Sequence, residues 1–500
     1  PLSSLALALE YSVGGGSPLV FRIASYLLYA AGVVAVFLLA RRILPKGPAL
    51  AAALIFAAHP VHVEAVALGV GQSELLVALF GTLMVAGYLA RRRSGAGELR
   101  ARDWTGLALL YVAAGFSKEH GLVLPGLLLG AELILLREEP LRRRLRHLAP
   151  GYALLAGLAV LMILIRRAVL GGTVAGTFTA AALLGLSPGR RALTMLAVVP
   201  QWARLLLWPR HLQADYSPQE IVASSGLGPA ELLGLGIVLA GAAAAWLARR
   251  RAPVVSFGLL WMGVALFPVS NLLVPIGIVL AERTLFLPSI GFVLLLGGTL
   301  VLFRPKSAAL PGISRRSARA PRIASGLVLT ALVAVLAVRS AERQGVWRND
   351  AVFRVRGVQD APRSWRTRLS YASLLFDSGR TAEALENYRQ AAELAPSTER
   401  WKVRNDLAEQ LFARGKTAAA VEQLRLSLAE APDQETTRHY LVLGYLALGA
   451  YRQAAAEADS ALARGGSQDI FGELRALADT AMLRRVPPGA IKIRVREKQP

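Results

Sequence analysis

Cysteine is absent from the 500 residues, which excludes disulfides, thiolate nucleophiles and zinc–thiolate sites. Histidine is scarce, at six, and no His-x-x-x-His or Glu-x-x-His spacing puts ligands on one helix face, so no metal site is expected. No phosphate-binding P-loop, dinucleotide fingerprint or Gly-x-Ser-x-Gly elbow occurs either. Any energy for chemistry then has to arrive with an activated substrate. Negative charge is in short supply, with 33 Asp and Glu against 57 Lys and Arg, a net +24. The surplus is not spread as a nucleic-acid face. It sits in short clusters between apolar runs, at Arg41-Arg42, Arg91-Arg92-Arg93, Arg142-Arg143-Arg144 and Arg249-Arg250-Arg251, which is a topology signal; no nucleic-acid partner is expected.

What the chain has in excess is apolar sequence. A hydrophobic fraction of 54% and a mean hydropathy of +0.45 exceed what a soluble core absorbs, so lipid must solvate part of it. Runs long enough to cross a bilayer, roughly 20 residues, lie at 19–40, 73–90, 227–248, 284–303 and 323–341. Shorter ones lie at 48–58, 104–116, 121–136, 149–165 and 254–267. Placing the basic connections 41–47, 91–103, 137–147, 249–253 and 304–322 in the cytoplasm closes ten spans, with both ends of the chain outside. Segment 192–208 would invert this scheme if it crossed, so it is expected to lie in the interface. The opening at Pro1, without methionine and in Gly-rich sequence, reads as that of a fragment. The Ala, Leu, Arg and Gly richness points to a bacterium, hence to the inner membrane.

Near Trp365 the apolar runs shorten and charges interleave at helical spacing. Three units align, at Gly379-Arg380-Thr381-Ala382-Glu383-Ala384-Leu385, Gly415-Lys416-Thr417-Ala418-Ala419-Ala420-Val421 and Gly449-Ala450-Tyr451-Arg452-Gln453-Ala454-Ala455, with glycines 36 and then 34 residues apart. A helix–turn–helix unit of about 34 residues is the tetratricopeptide period. The expected fold is therefore all-α: a polytopic transmembrane helix bundle over 1–341, a linker over 342–365, a tetratricopeptide-repeat α-solenoid over 366–485 and a flexible tail over 486–500. The repeats fall on the same, extracytoplasmic side as the loops between clusters.

Polar groups at membrane boundaries are costly, so each is a candidate. The densest group is His59-Pro60-Val61-His62-Val63-Glu64, which suits acceptor binding or proton transfer, and suits a capped helix start equally well. Ser117-Lys118-Glu119-His120-Gly121 breaks a long apolar stretch as a hairpin tip, and a bare turn has no need of those three charges. Glu282 and Arg283 open a span, as interface anchors or, for the arginine, as a phosphate partner. Asp215-Tyr216-Ser217-Pro218 lies in a long outer loop, where an Asx-type turn is the bland alternative.

Together these motifs resemble the transmembrane and tetratricopeptide-repeat family of O-mannosyltransferases, in the C-type glycosyltransferase superfamily. Pro1-Leu2-Ser3-Ser4-Leu5 is similar to the stretch before that family's second span, and His59 to Ala67 to its best-known loop motif. Lys118-Glu119-His120-Gly121 resembles a Lys-Glu-Gln-Gly turn with His for Gln, and Asp215-Tyr216-Ser217 and Ala281 to Phe292 match as well. The resemblance implies an inverting transfer of a sugar, mannose by family, from a polyprenyl-phosphate carrier to an acceptor hydroxyl, Ser or Thr of a protein. It implies no cofactor beyond that lipid-linked donor, and leaves a divalent metal open. It also implies a catalytic Asp in an outer loop upstream of Pro1. Within the chain, Glu64, His62 and Glu119 are the expected catalytic residues. His59, Lys118, His120, Asp215, Tyr216, Glu282 and Arg283 are expected to bind substrate and phosphate, with the basic loop 166–210 steering the carrier. The repeats would present an acceptor polypeptide. A glycolipid or glycan acceptor, and a non-catalytic scaffold, remain alternatives.

Overall fold

The computed structural model describes residues 1–94, 99–137, 140–171, 179–216, 219–303 and 320–491. Ser217, Pro218, most of the 304–322 connection and the end of the expected tail lie outside them. Among the described residues every regular element is a helix, and the chain divides into two compact units, 1–214 with 221–352, and 215–220 with 353–500.

The first unit opens with α1 (Leu2–Gly14), α2 (Pro18–Ile43), α3 (Lys46–Ala58), the single turn α4 (Val63–Ala67), α5 (Gln72–Arg92), α6 (Ala101–Ser117) and α7 (Leu124–Ile134). It continues through α8 (Leu141–Val169), α9 (Pro188–Leu207), α10 (Pro229–Arg251), α11 (Pro253–Leu266), α12 (Phe286–Leu302) and α13 (Ala320–Val346). Six helical stretches among the described residues are long and apolar enough to cross a membrane: Pro18–Ile43, Gly69–Arg92, Leu141–Val169, Pro229–Arg251, Glu282–Leu302 and Ser325–Val346. The protein is thus a multi-pass integral membrane protein. These six coincide, within a few residues at the ends, with the five long expected spans and one expected to be short, because 149–165 belongs to the 29-residue α8. The others are shorter helices. α3, at 13 residues, is about 20 Å long against a hydrocarbon core of about 30 Å. It passes the same test only together with Pro60–Ala67, from which it is bent by 49°.

Helix ends fix the sense of the bundle. Arg91 at the end of α5 meets Asp103 in the first turn of α6 at 3.1 Å. Glu132, near the end of α7 and wholly buried, accepts from Tyr88 at 2.6 Å and pairs with Arg92 at 2.7 Å and Arg144 at 2.8 Å, which ties α5, α7 and the start of α8 together. Arg137 lies in the field of Arg144, Arg249 and Arg250, so the end of α10 is there too. The basic clusters therefore share one end. α8 leaves and α10 enters at the other end, and α9 between them makes no net crossing, as expected for an interfacial segment. α9 packs closely on α10, where Gly234 lies against the Leu196 backbone. α10 and α13 turn large apolar side chains outward, Leu239, Leu247, Leu327 and Val328 among them, as lipid-facing helices do. The opening residues, outside the expected spans, form α1.

Residues 342–365, expected to be a linker, instead hold the end of α13 and α14 (Asp350–Asp360). The second unit then runs through α15 (Trp365–Asp377), α16 (Thr381–Leu394), α17 (Arg400–Ala413), α18 (Thr417–Glu430), α19 (Glu435–Ala447), α20 (Tyr451–Ala463) and α21 (Gln468–Leu483). These form a solenoid of helix pairs closed by a last helix. Gly379, Gly415 and Gly449 have φ of +76°, +70° and +72° at the inter-helix turns, a region open to glycine without strain. The in-phase alanines Ala384, Ala420 and Ala454 are fully buried where paired helices meet. Part of the expected tail folds back: Gly489 N–H donates to Ala447 O at 2.9 Å, and Tyr451 Oη to Val486 O at 2.9 Å.

Candidate active site at the end opposite the arginine clusters

Five connections meet at this end: the one after α3, the starts of α5 and α12, the α6–α7 turn and the end of α13. Pro60 stops α3, and His59 caps the turn that follows, its Nδ1 accepting from Val61 N–H at 3.3 Å. That fixes Nε2 as the protonated nitrogen, donating to Leu206 O at 2.9 Å. His62 is equally committed. Ser289 Oγ donates to Phe286 O at 2.6 Å, so it accepts from His62 Nε2 at 2.8 Å, while Nδ1 faces Tyr29 Oη at 3.0 Å, a hydroxyl that also reaches Phe56 O at 3.0 Å and Ala57 O at 3.1 Å. The imidazole thus links α2 to α12, between the rings of Phe56 and Phe286 at 4.5 and 4.7 Å.

Glu64, 1% exposed, spends both oxygens on one residue, accepting from the Arg283 backbone N–H at 2.9 Å and from its guanidinium. A buried carboxylate left unpaired here would cost several kcal/mol, roughly 3–5. The neighbouring Glu282 accepts from Gln213 N–H at 2.5 Å and lies 3.8 Å from Arg343 of α13. Two carboxylates thereby hold the short segment that leads into α12, and the Arg283 side chain remains 23% exposed.

A second group gathers on Glu74, in the first turn of α5 and 0% exposed. It takes the Lys118 ammonium on one oxygen and stands 3.3 Å from His120 Nδ1 on the other. Gly121 makes this possible, because a Cβ there would lie 2.5 Å from Gly115 N, so the turn settles directly on the α6 backbone. Glu119 points elsewhere, half exposed and paired with Arg166 at 2.5 Å. Burial pushes the Glu119 carboxyl up, but its own backbone N–H, Arg166, Lys118 and His120 outweigh that and hold it below the usual carboxylate value.

Of the residues singled out in the sequence, Glu64 and Arg283 therefore pair with each other, His59, His62 and Glu282 lie beside them with partners of their own, and Lys118 and His120 gather on Glu74 at the same end. Asp215 belongs to the second unit, where it accepts from Ser364 Oγ at 2.5 Å and meets Arg366 at 3.4 Å; Tyr216 follows it there. Sequence reasoning passed over Glu74, Arg343, Tyr29 and Ser289. The signal for Glu74 was an ionisable residue inside an apolar run, a candidate by default. For Tyr29 and Ser289 no local signal existed.

A family model described as dolichyl-phosphate-mannose-protein mannosyltransferase matches residues 1–165. A mouse protein O-mannosyl-transferase, TMTC4, is 26% identical over 438 residues, covering 78% of this chain and 57% of its own length. A protein O-mannosyl-transferase of Caenorhabditis elegans is 25% identical over 373 residues, 70% of this chain and 46% of its own. A shorter match, 35% identical over 140 residues, is to the mouse protein O-mannosyl-transferase TMTC1, covering 28% of this chain and 14% of that protein. The chain thus spans about half the length of the first two relatives. No solved structure matches it. The family model on its first third and the relatives matched along most of its length support a kinship of the chain with the transmembrane and tetratricopeptide-repeat O-mannosyltransferases.

Proposed function

We propose that the membrane unit is an inverting glycosyltransferase that moves mannose from a polyprenyl-phosphate carrier to a Ser or Thr hydroxyl of a protein. The reaction takes place on the extracytoplasmic face of a bacterial inner membrane, and the repeats present the acceptor. The observation that carries this reading is a pair of cations, Arg283 and Lys118, each partly exposed and each held from behind by a buried carboxylate. A fixed cation beside lipid suits a phosphate that gains charge as it departs. The names of the relatives supply the sugar and the acceptor class.

In this reading Arg283 and Lys118 face the carrier phosphate, with Glu64, Glu74, His120, Glu282 and the His59–His62 network as positioning residues. Arg166 and the rest of the basic 166–210 loop draw in the head group. The acceptor oxygen attacks the anomeric carbon as the bond to the phosphate oxygen breaks, the lipid phosphate leaves with that electron pair, and the hydroxyl proton passes to a carboxylate. Among the expected catalytic residues, Glu119 has the exposure to receive it.

The test supplies the purified protein with polyprenyl-phosphate mannose or a nucleotide-linked mannose, together with a Ser- and Thr-containing peptide. The lipid donor is expected to label the peptide. Glu119→Gln should slow transfer by roughly 10²–10⁴, and Lys118→Met and Arg283→Met should weaken donor use. Labelling from the nucleotide donor alone, or transfer undiminished in all three variants, overturns the reading.

A further inference from the structure

A separate charge cluster lies at the opposite end of the membrane unit, and sugar transfer makes no use of it. The first two turns of α8 carry Arg142, Arg143, Arg146 and His147, which with Pro140 line a shallow cavity of about 570 Å³. Arg142 and Arg146 are one helical turn apart, as are Arg143 and His147, so the four form two adjacent cationic rows. The three arginines are exposed, and their side chains make no hydrogen bond or ion pair among the described residues. Arg144 between them is different: it is 6% exposed and donates to Glu132 Oε2 at 2.8 Å and to the Glu132 and Leu136 carbonyls. That buried anchor holds this turn of α8 on α7, so the outward rows have a fixed backbone. Arg137, Arg249 and Arg250 add to the same positive field.

The apolar neighbours say what kind of anion fits. Leu141 and Leu145 flank the arginines at 40% and 37% exposure, and the helix continues outward with Leu154, Val160, Leu161 and Leu164, all exposed. Phosphate-sized charge at the rows and hydrocarbon along the stripe describe one amphipathic molecule. We propose that this turn of α8 is a binding site for an anionic phospholipid, its headgroup phosphate held by Arg142, Arg143 and Arg146 and its acyl chains lying along Leu145 and the stripe beyond. A soluble phosphate ester shares the headgroup chemistry and lacks the chains.

The full chain is placed in nanodiscs of phosphatidylcholine with a minor share of phosphatidylglycerol, and the lipid that it retains after transfer to detergent is counted by native mass spectrometry. Phosphatidylglycerol is expected to be enriched over its share in the disc. Arg142→Gln/Arg143→Gln/Arg146→Gln should abolish the enrichment, a loss of roughly fivefold per arginine near an anionic surface and on the order of a hundredfold for three. Arg41→Gln/Arg42→Gln/Arg102→Gln, removing equal charge at the same end, should keep it. Should the first variant fail to fold, Leu145→Gln in the intact cationic rows is expected to reduce retention while glycerol phosphate still fails to compete. No enrichment in the unaltered protein, equal loss in both triple variants, or displacement of the lipid by glycerol phosphate alone overturns the proposal.

Discussion

Glu74 is the residue whose removal should be felt most widely. Its carboxylate is fully buried, and it holds Lys118, 19% exposed, and His120, 5% exposed. Glu74→Leu keeps the apolar surroundings of α5 but leaves the Lys118 ammonium without a counter-charge in a poorly solvated turn. Breaking a buried pair from one side costs about 3–5 kcal/mol, whereas replacing both members by apolar residues is about neutral. For a unit of this size that is an apparent melting midpoint lowered by roughly 6–10 °C, at about 2 °C per kcal/mol. Glu74→Leu/Lys118→Met should recover most of the loss, which makes the coupling, not either residue alone, the measured quantity. The assay is thermal unfolding of the detergent-purified protein at fixed lipid content. A Glu74→Leu midpoint within about a degree of the unaltered protein would refute the reasoning, as would a double variant no better than the single.

Three further outcomes follow from other parts of the molecule. Gly415 sits at φ +70° with open space around its missing side chain, so Gly415→Ala should cost only the left-handed strain, about 1–2 kcal/mol, seen as faster proteolysis of the repeats. Burial holds the His439 imidazole below its ordinary value, with Glu435 opposing; the unfolded chain therefore takes up the proton first. Stability of the repeat unit is then complete above about pH 6.5 and falls as pH drops below it, and His439→Gln should flatten that slope in pH-dependent proteolysis of the full chain. Because the chain has no cysteine, single cysteines report sidedness directly. In intact cells Val70→Cys should react with an impermeant maleimide and Arg102→Cys should not.

The sequence made visible whatever repeats or whatever lies close along the chain. The solenoid was legible because glycine and alanine recur in phase, and only Gly tolerates the turn conformation that the phase demands. The bundle's sense was legible from the arginine clusters, since charge cannot be left in hydrocarbon. His62, Glu64, Lys118 and Arg283 stood out as charge beside apolar runs. Their partners did not: Tyr29 and Ser289 are ordinary polar residues on long helices, and only tertiary packing turns them into the two ends of a hydrogen-bonded chain through His62. Asp215 was grouped with the membrane motifs by its position in an outer loop, whereas its hydrogen-bond partners are Ser364 and Arg366. α14 went unseen because a single amphipathic helix of 11 residues between two stronger patterns has too few turns to declare a period.

The site itself is tested most directly by photo-crosslinking. A polyprenyl phosphate carrying a photoreactive group beside the phosphate is bound to the protein, irradiated, and the attachment mapped by peptide mass spectrometry. Label is predicted on the turn 117–123 and on 282–286, and should be lost from the first with Lys118→Met and from the second with Arg283→Met. Label confined to α8 near Arg142, or spread evenly over the lipid-facing helices α10 and α13, would contradict the placement of the carrier phosphate.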